Sequence, residues 1–178
     1  ATMLTVKGGT GKIVEYFGEG ARSMSATGKG TITNMGAEIG ATTSTFGYDD
    51  MMDPYLRATD RGPIADLCKQ YAEHLRSDPS VEKNPEKYYD EYHEIDLNTL
   101  EPHIVGPHTP DLGRAVSAMS AEVDEKGYPE KLSAALIGSC TNSSYEDMTR
   151  AVSLVRQAKK AGLKAQTSLM VTPGSETI

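Results

Sequence analysis

Cys140 is the residue best suited to chemistry, because it occupies a predicted turn, 138–143, between a strand and a helix. Open α/β sheets place ligands beyond the carboxyl ends of their strands, which is where this turn falls. Ser144 and Asp147 have the spacing of a capping box, so the N–H groups and the positive dipole end of the helix lie close to Cys140 and favour a thiolate. A small buried cysteine at a strand end is the alternative, and position alone does not separate the two.

Glu38 is the second candidate, since it is the one carboxylate in the small and apolar stretch 34–44. We predict a helix over 35–45 with Asn34 as its N-cap, and its glycines and alanines leave one face nearly bare. A desolvated acid on such a helix would be suited to proton handling. The alternatives are an exposed helix acid for Glu38 and a plain cap for Asn34.

Cys68, the other cysteine, lies on the apolar stripe of a predicted amphipathic helix. The stripe follows the i, i+3, i+4, i+7, i+11 spacing and consists of Ile64, Leu67, Cys68, Tyr71 and Leu75. Its neighbours explain Cys68 as a core residue, so we expect it to be buried and do not assign it to a metal site.

Three further patterns do not support a site. The segment GGTGK at 8–12 lacks the four residues that a phosphate loop needs between Gly and Gly-Lys. Ser23 stands where the third glycine of a dinucleotide fingerprint belongs. His93 and Glu94 have no second histidine at helical spacing, so no zinc site is predicted.

The amino-acid composition limits the classes to which this protein can belong. The chain has 178 residues, 38% of them hydrophobic and 24% charged, which is typical of a globular protein. The net charge of −7 and the lack of a basic run argue against nucleic-acid partners. No apolar stretch approaches the ~20 residues that span a bilayer, so no membrane association is expected. Two cysteines favour a reducing compartment, either the cytoplasm or the mitochondrial matrix.

The last third of the chain gives the clearest secondary structure. A strand over 132–137, a helix over 144–161 and a second strand over 167–172 form a βαβ unit, which implies a parallel sheet covered by helices. The fold class is therefore α/β. A modest helix with Val116, Met119 and Val123 on one side precedes this unit.

The secondary structure predicted for the rest of the chain is less detailed. Short strands are predicted at 3–6, 12–17 and 93–97, and the polar segment 77–92 is predicted to be a linker or long surface loop. We place one small α/β domain over 1–93 and the beginning of a second over 94–178. No methionine precedes the strand at 3–6, and we expect an internal segment of a longer protein.

Two long motifs resemble the aconitase family. They are NMGAEIGATTS (34–44) and IGSCTNSSYEDM (137–148). KGGTGKIVEYFGEG, EIDLNTLEPHIVGP, TPDL and VTPGSE are also similar to that family, in the same order along the chain. The sequence departs most from it at 77–92 and at His108, where an aromatic residue is expected.

The resemblance implies a three-layer αβα fold with parts of two aconitase-type domains. It implies a hydro-lyase of the tricarboxylic acid cycle that interconverts citrate and isocitrate through cis-aconitate, with a 4Fe-4S cluster held by three cysteines. By the same resemblance Cys140 is the first metal ligand, Asn34 approaches the cluster, and Glu38 helps to order the iron-bound hydroxyl or water. The other two cysteines of the family fall beyond residue 178, so no cluster and no activity are expected in this chain alone.

Two alternatives remain open at this point. The chain would have the same motifs in a relative that acts on homoaconitate or isopropylmalate, because fold and cluster geometry would be shared. It would also be compatible with a non-catalytic binding module. The motif pair NMGAEIGATTS and SSYEDM favours aconitase.

Overall fold

The computed structural model describes residues 2–176. Their contacts divide the chain into two units, with the boundary between Val116 and Ser117. Helices alternate with three two-stranded sheets, and the predicted α/β class is confirmed. The domain boundary that we predicted after residue 93 stays a prediction.

The helices and strands follow one another in this order: β1 (Ile13–Tyr16), α1 (Glu19–Ser23), α2 (Ala26–Asn34), β2 (Thr43–Phe46), α3 (Met52–Ala58), α4 (Gly62–Gln70), α5 (Pro79–Lys83), α6 (Pro85–Tyr88), β3 (His103–Val105), β4 (Gly113–Ala115), α7 (Met119–Lys126), β5 (Ala134–Ile137), α8 (Tyr145–Lys160) and β6 (Ser168–Val171).

The first unit is built on β1 and β2, which pair in parallel with Ile13 opposite Thr43. The strand predicted over 12–17 is confirmed by β1. The connection between the two strands runs through α1 and α2, as a parallel pair requires. Ser25 caps α2, because its Oγ accepts a hydrogen bond from the Gly28 N–H at 3.2 Å.

The helix predicted over 35–45 is wrong. Asn34 is the last residue of α2, residues 35–40 form turns, and β2 begins at Thr43. Glycine lowers helix propensity, and Gly40 has φ 74°, which an α-helix does not allow. The β-branched threonines that follow favour a strand. Asn34 is therefore at the C-terminal end of a helix and does not cap the start of one.

Three other predictions in this unit are wrong in part or in whole. Residues 2–9 form turns in place of the strand at 3–6, and 91–96 have no regular structure in place of the strand at 93–97. The predicted loop over 77–92 contains α5 and α6, each of which begins at a proline. Proline fixes φ near the helical value, and it has no N–H to leave without a partner in the first turn of a helix. It therefore favours helix starts that hydrophobic periodicity does not reveal.

The amphipathic helix around Cys68 is confirmed in part as α4, which ends at Gln70 before Tyr71 and Leu75. The predicted burial of Cys68 in an apolar core is wrong. The stripe residues Ile64, Leu67, Tyr71 and Leu75 are between 43% and 50% exposed, and Cys68 is half-buried. Ala65 is the fully buried residue of this helix. A stripe shows which face is apolar, whereas burial depends on what packs against it.

Arg57 joins α3 to α4. Its guanidinium donates to Asp53 at 3.0 Å from within α3 and to Asp66 of α4 at 2.6 Å. Hydrogen bonding to Arg57 holds the pKa of Asp53 below its usual value. The carboxylate of Asp53 therefore stays charged, and the short α3–α4 connection is bridged by side chains at the surface.

A buried ion pair joins Lys29 of α2 to Asp49, which follows β2. Lys29 Nζ lies 2.5 Å from Asp49 Oδ2, and the two residues are 3% and 7% exposed. Asp49 Oδ1 also accepts the Met51 N–H at 3.0 Å. Because desolvating either charge without its partner costs several kcal/mol, the pair fixes α2 against the end of β2.

The second unit confirms the predicted βαβ arrangement. β5 and β6 pair in parallel, with Ala134 opposite Ser168, and α8 connects them. Gly162 has φ 74° just after α8, as expected for a glycine that ends a helix. The modest helix predicted upstream is α7, while Val116 lies in a 3-10 turn before it.

Candidate functional site

Cys140 is exposed in the turn that follows β5. We call residues 138–143 the Cys140 turn. The Sγ atom of Cys140 is 3.5 Å from Thr141 Oγ1. The predicted location between strand and helix is confirmed, and the alternative of a small buried cysteine is wrong.

Two serines build the Cys140 turn. Ser139 Oγ accepts the Thr141 N–H at 3.1 Å and the Asn142 N–H at 2.7 Å. Ser143 Oγ in turn accepts the Ser139 N–H at 2.7 Å. The turn is thus closed by side chains on both sides of Cys140 and leaves the thiol outside this network.

The Cys140 turn is also joined to the loop after β6. The Thr172 N–H donates to the Ile137 carbonyl at 3.0 Å, and the Gly174 N–H donates to the Ser143 carbonyl at 3.1 Å. Gly138 has φ 148°, and a Cβ at this position would lie 2.1 Å from Thr172 Oγ1. Only glycine fits this close approach, so the strand ends hold the turn from one side.

The helix α8 starts directly after the turn, and the predicted capping box is confirmed. Ser144 Oγ accepts the Asp147 N–H and Asp147 Oδ2 accepts the Ser144 N–H, both at 3.2 Å. The dipole of a 16-residue helix favours an anion at this end. Glu146 and Asp147 lie in the first turn and offset part of that positive potential.

Glu38 and Asn34 lie in the first unit and are both exposed. We call residues 35–40 the Glu38 turn. Among the described residues, the Glu38 carboxylate makes no hydrogen bond or ion pair, and it is thus available to a ligand. Asn34 accepts the Ala37 N–H through its carbonyl at 3.3 Å, so its backbone starts the turn.

The Glu38 turn is fixed by contacts with the glycine-rich segment before β1. Ile39 is buried, and its carbonyl accepts the Gly9 N–H at 2.9 Å. A Cβ on Gly9 would lie 2.8 Å from that carbonyl oxygen, and one on Gly36 would lie 2.4 Å from Ser44 Oγ. Both glycines are therefore required by close packing, and together with buried Ile39 they hold the exposed Glu38 in place.

The donor set fits one ligand of an iron-sulfur cluster. Cys140 presents an exposed thiol on a turn whose hydrogen bonds do not depend on it. Within the described part of the chain, no group of three His, Cys, Asp or Glu side chains is placed to hold a metal ion. Cys68 lies in the first unit and Cys140 in the second. The described residues thus supply one candidate thiolate and not a complete site.

No helix in residues 2–176 is both long and apolar enough to cross a membrane.

The model of the Aconitase family (aconitate hydratase) matches residues 1–178. The chain belongs to the aconitase family. It is 57% identical over 178 residues to "Aconitate hydratase, mitochondrial" of Saccharomyces cerevisiae, and 54% identical to the protein of that name from Gracilaria gracilis. It is 52% identical over 181 residues to "Homocitrate dehydratase, mitochondrial" of Saccharomyces cerevisiae. All of the chain is covered in each case, and it spans 22% of the length of these relatives.

The residues that shape the turn in this aconitase-family chain were not predicted from sequence. Ser139 and Ser143 flank Cys140 in GSCTNSS, and a serine before a reversal of the chain often accepts backbone N–H groups. That signal was present in the sequence. The contact between Gly138 and Thr172 was not predictable, since the two residues are brought together only by pairing of β5 with β6.

We expect Cys140 to react severalfold faster than Cys68 with iodoacetamide at neutral pH. Cys140 is exposed beside a helix N-terminus, whereas Cys68 is half-buried in α4. Timed alkylation read by peptide mass spectrometry measures both rates in one sample. A urea-unfolded sample is the control, because the two rates should converge there. Equal rates in a folded sample would contradict the assignment.

Proposed function

We propose that this chain is part of a longer aconitate hydratase, a lyase that interconverts citrate and isocitrate through cis-aconitate in the tricarboxylic acid cycle. Similarity to aconitate hydratases over all 178 residues carries the proposal. The exposed cysteine in a strand-to-helix turn supports it, because open α/β sheets bind ligands at such positions. The substrate is then a small tricarboxylic acid.

Cys140 is proposed as one metal ligand of a 4Fe-4S cluster. The remaining thiolates would come from polypeptide outside these 178 residues, because three cysteine ligands are needed and Cys68, the other cysteine of the chain, is half-buried in α4. When bound, the cluster supplies a Lewis acid that polarises the substrate hydroxyl. Ser139 and Ser143 hold the turn so that the Cys140 thiol stays exposed.

Glu38 is proposed as the proton-handling group at the substrate hydroxyl, and Asn34 as a hydrogen-bonding side chain near the cluster. The exposure of both residues supports these roles, as does the lack of a partner for Glu38 among the described residues. The close packing at Gly9 and Gly36 gives Glu38 a fixed backbone. A general acid or base needs such placement before its acidity matters.

The compartment and the partners follow from the same proposal. We place the longer protein in the mitochondrial matrix or a bacterial cytoplasm, and the mitochondrial relatives support the first. The net charge of −7 supports a protein without a nucleic-acid partner, since phosphate backbones bind basic surfaces.

The 178-residue chain alone is expected to bind no intact cluster and to show no hydratase activity. Anaerobic reconstitution with iron and sulfide, followed by desalting, iron analysis and assays on citrate, isocitrate and cis-aconitate, measures this. A Cys140→Ser chain is the control for adventitious iron. A stable broad visible absorbance with about four irons per chain would contradict the expectation.

A polypeptide extended to the length of the relatives tests the function itself. We expect it to carry the cluster and to interconvert citrate and isocitrate. Cys140→Ser should abolish cluster retention, while the matched Cys68→Ser variant should retain cluster and activity. If the extended protein carries the cluster but leaves citrate, isocitrate and cis-aconitate unchanged, the proposed activity is wrong.

A second candidate activity is the dehydration of homocitrate and the hydration of homoaconitate. The 52% identity to a homocitrate dehydratase supports this second activity, because the value is close to the 57% identity to an aconitate hydratase. Comparing kcat/KM for citrate and homocitrate in the extended protein decides between them. Specificity is a ratio of these constants, so a higher value for homocitrate would replace the first proposal.

A further inference from the structure

We propose that Ser143 is the positioning residue of the Cys140 turn and sets the direction of the Cys140 thiol through the peptide of Ser139. Its relevance to a cluster rests on the proposed function, whereas its effect on the turn does not. Ser143 touches neither substrate nor metal in this proposal. It acts through hydrogen bonds on either side of Cys140.

The burial of Ser143 is the first observation. It is 1% exposed, in a turn where Ser139, Cys140 and Asn142 are exposed. A buried hydroxyl is retained where it makes a hydrogen bond, because desolvation without a partner is costly. Here the hydroxyl accepts the Ser139 N–H at 2.7 Å. Its burial is therefore explained by the turn and not by apolar packing.

The backbone of Ser143 makes the second connection. Its carbonyl accepts the Gly174 N–H at 3.1 Å, which joins the Cys140 turn to the loop after β6. Ser143 thus binds the start of the Cys140 turn through its side chain and the loop after β6 through its main chain. Movement of Ser143 would change both connections together.

Conformational freedom just before Ser139 makes this hydrogen bond important. Gly138 has φ 148°, a value that L side chains rarely adopt, so the turn begins at a residue of high intrinsic flexibility. The peptide between Gly138 and Ser139 follows immediately, and its N–H is the one that Ser143 Oγ accepts. Without the Ser143 acceptor, the Ser139 N–H has no hydrogen bond to oppose rotation of this peptide, and the thiol direction becomes more variable.

The first test is amide hydrogen exchange by NMR on the 178-residue chain. In the unsubstituted chain, the Ser139 N–H should exchange more slowly than those of Thr141 and Asn142, whose acceptor Ser139 Oγ is exposed. Ser143→Ala should speed exchange at Ser139 on the order of tenfold, because a donor loses its buried acceptor. Amides of β5 and α8 should keep their rates.

A matched control and a rescue separate positioning from general stability. Ser153→Ala removes an exposed hydroxyl from α8 and should leave the turn unchanged. Ser143→Thr keeps the hydroxyl and should restore slow exchange at Ser139. Unchanged Ser139 exchange in Ser143→Ala overturns the proposal, and so does equal acceleration throughout the second unit. If Ser143→Ala does not fold, the order of exchange in the unsubstituted chain decides, and a Ser139 amide as fast as Thr141 overturns it.

The second test concerns the cluster and is independent of the first. In the extended protein, Ser143→Ala should change the electron paramagnetic resonance spectrum of the cluster and lower iron retention, and Ser153→Ala should change neither. A cluster that is absent from the unsubstituted extended protein is a failure of the proposed function alone. An unchanged spectrum in Ser143→Ala, with the cluster present, overturns the positioning role toward the cluster.

Discussion

Glu38→Gln in the extended protein is expected to lower turnover by a factor on the order of 10²–10⁴, the usual range for losing a general acid or base. Glutamine keeps the size of the side chain and removes its ability to carry the proton. The exposed turn around Glu38 is held by Gly9, Gly36 and Ile39, so the substitution should leave the backbone unchanged. Steady-state kinetics on citrate and isocitrate measure kcat and KM separately. The substitution should lower kcat and leave KM nearly unchanged.

Glu86→Gln is the matched control for that experiment. Glu86 is an exposed carboxylate of α6 in the same unit, so its loss should leave both constants unchanged. If kcat of the Glu38→Gln enzyme equals that of the unsubstituted enzyme, Glu38 is a surface acid without a role in proton transfer. A raised KM with ordinary kcat would indicate substrate binding without proton transfer.

Lys29→Met is expected to destabilise the first unit by about 3–5 kcal/mol, because it leaves Asp49 buried without its countercharge. Asp49→Ala should cost a similar amount for the same reason. Replacing both residues together, as Lys29→Met with Asp49→Leu, should recover much of the loss, since two apolar side chains need no partner. Urea unfolding of each variant measures the free energies, and the double-mutant cycle gives the coupling.

Lys69→Met provides the control for the buried pair. Lys69 Nζ lies 3.9 Å from Asp53, and the lysine side chain is 61% exposed. Surface ion pairs contribute about 0–1 kcal/mol, so this variant should unfold within that margin of the unsubstituted chain. If Lys29→Met costs no more than Lys69→Met, the Lys29–Asp49 pair does not hold α2 in place.

The second unit was predictable from sequence because its signals are local. Ser144 and Asp147 specify where α8 begins, Gly162 specifies where it ends, and apolar runs on either side specify two strands. The position of Cys140 follows from these elements. Capping and glycine signals act within a few residues, so tertiary context did not override them.

The region around Glu38 was not predictable in the same way. Small residues such as Gly36 and Ala37 are compatible with a closely packed helix or with a compact turn. Contacts with Gly9, which is distant in sequence, and with Ser44 of β2 select the turn. The Lys29–Asp49 pair is another case, since nothing in the spacing of 20 residues indicates that two charges will be buried together.

The incomplete burial of Cys68 shows a different limit of prediction from sequence. The apolar period was correct over Ile64, Leu67 and Cys68, whereas α4 ends at Gln70 and the predicted stripe continued to Leu75. Burial was predicted from the assumption that an apolar face is covered within the same chain. Leu67 and Tyr71 remain about half exposed, so the periodicity identified the face without identifying what covers it.

The exposed strand β6 has a consequence for the behaviour of the purified protein. Within the described part of its unit it pairs with β5 alone, all four of its residues are exposed, and none of Ser168, Leu169, Met170 and Val171 carries a charge. An uncharged apolar strand edge is a template for adding a strand from another molecule, which is a route to aggregation. Repulsion from the net charge of −7 opposes that encounter, and salt screens it. Concentrated samples should therefore keep longest in buffers of low ionic strength at a pH well above the isoelectric point of about 5.1.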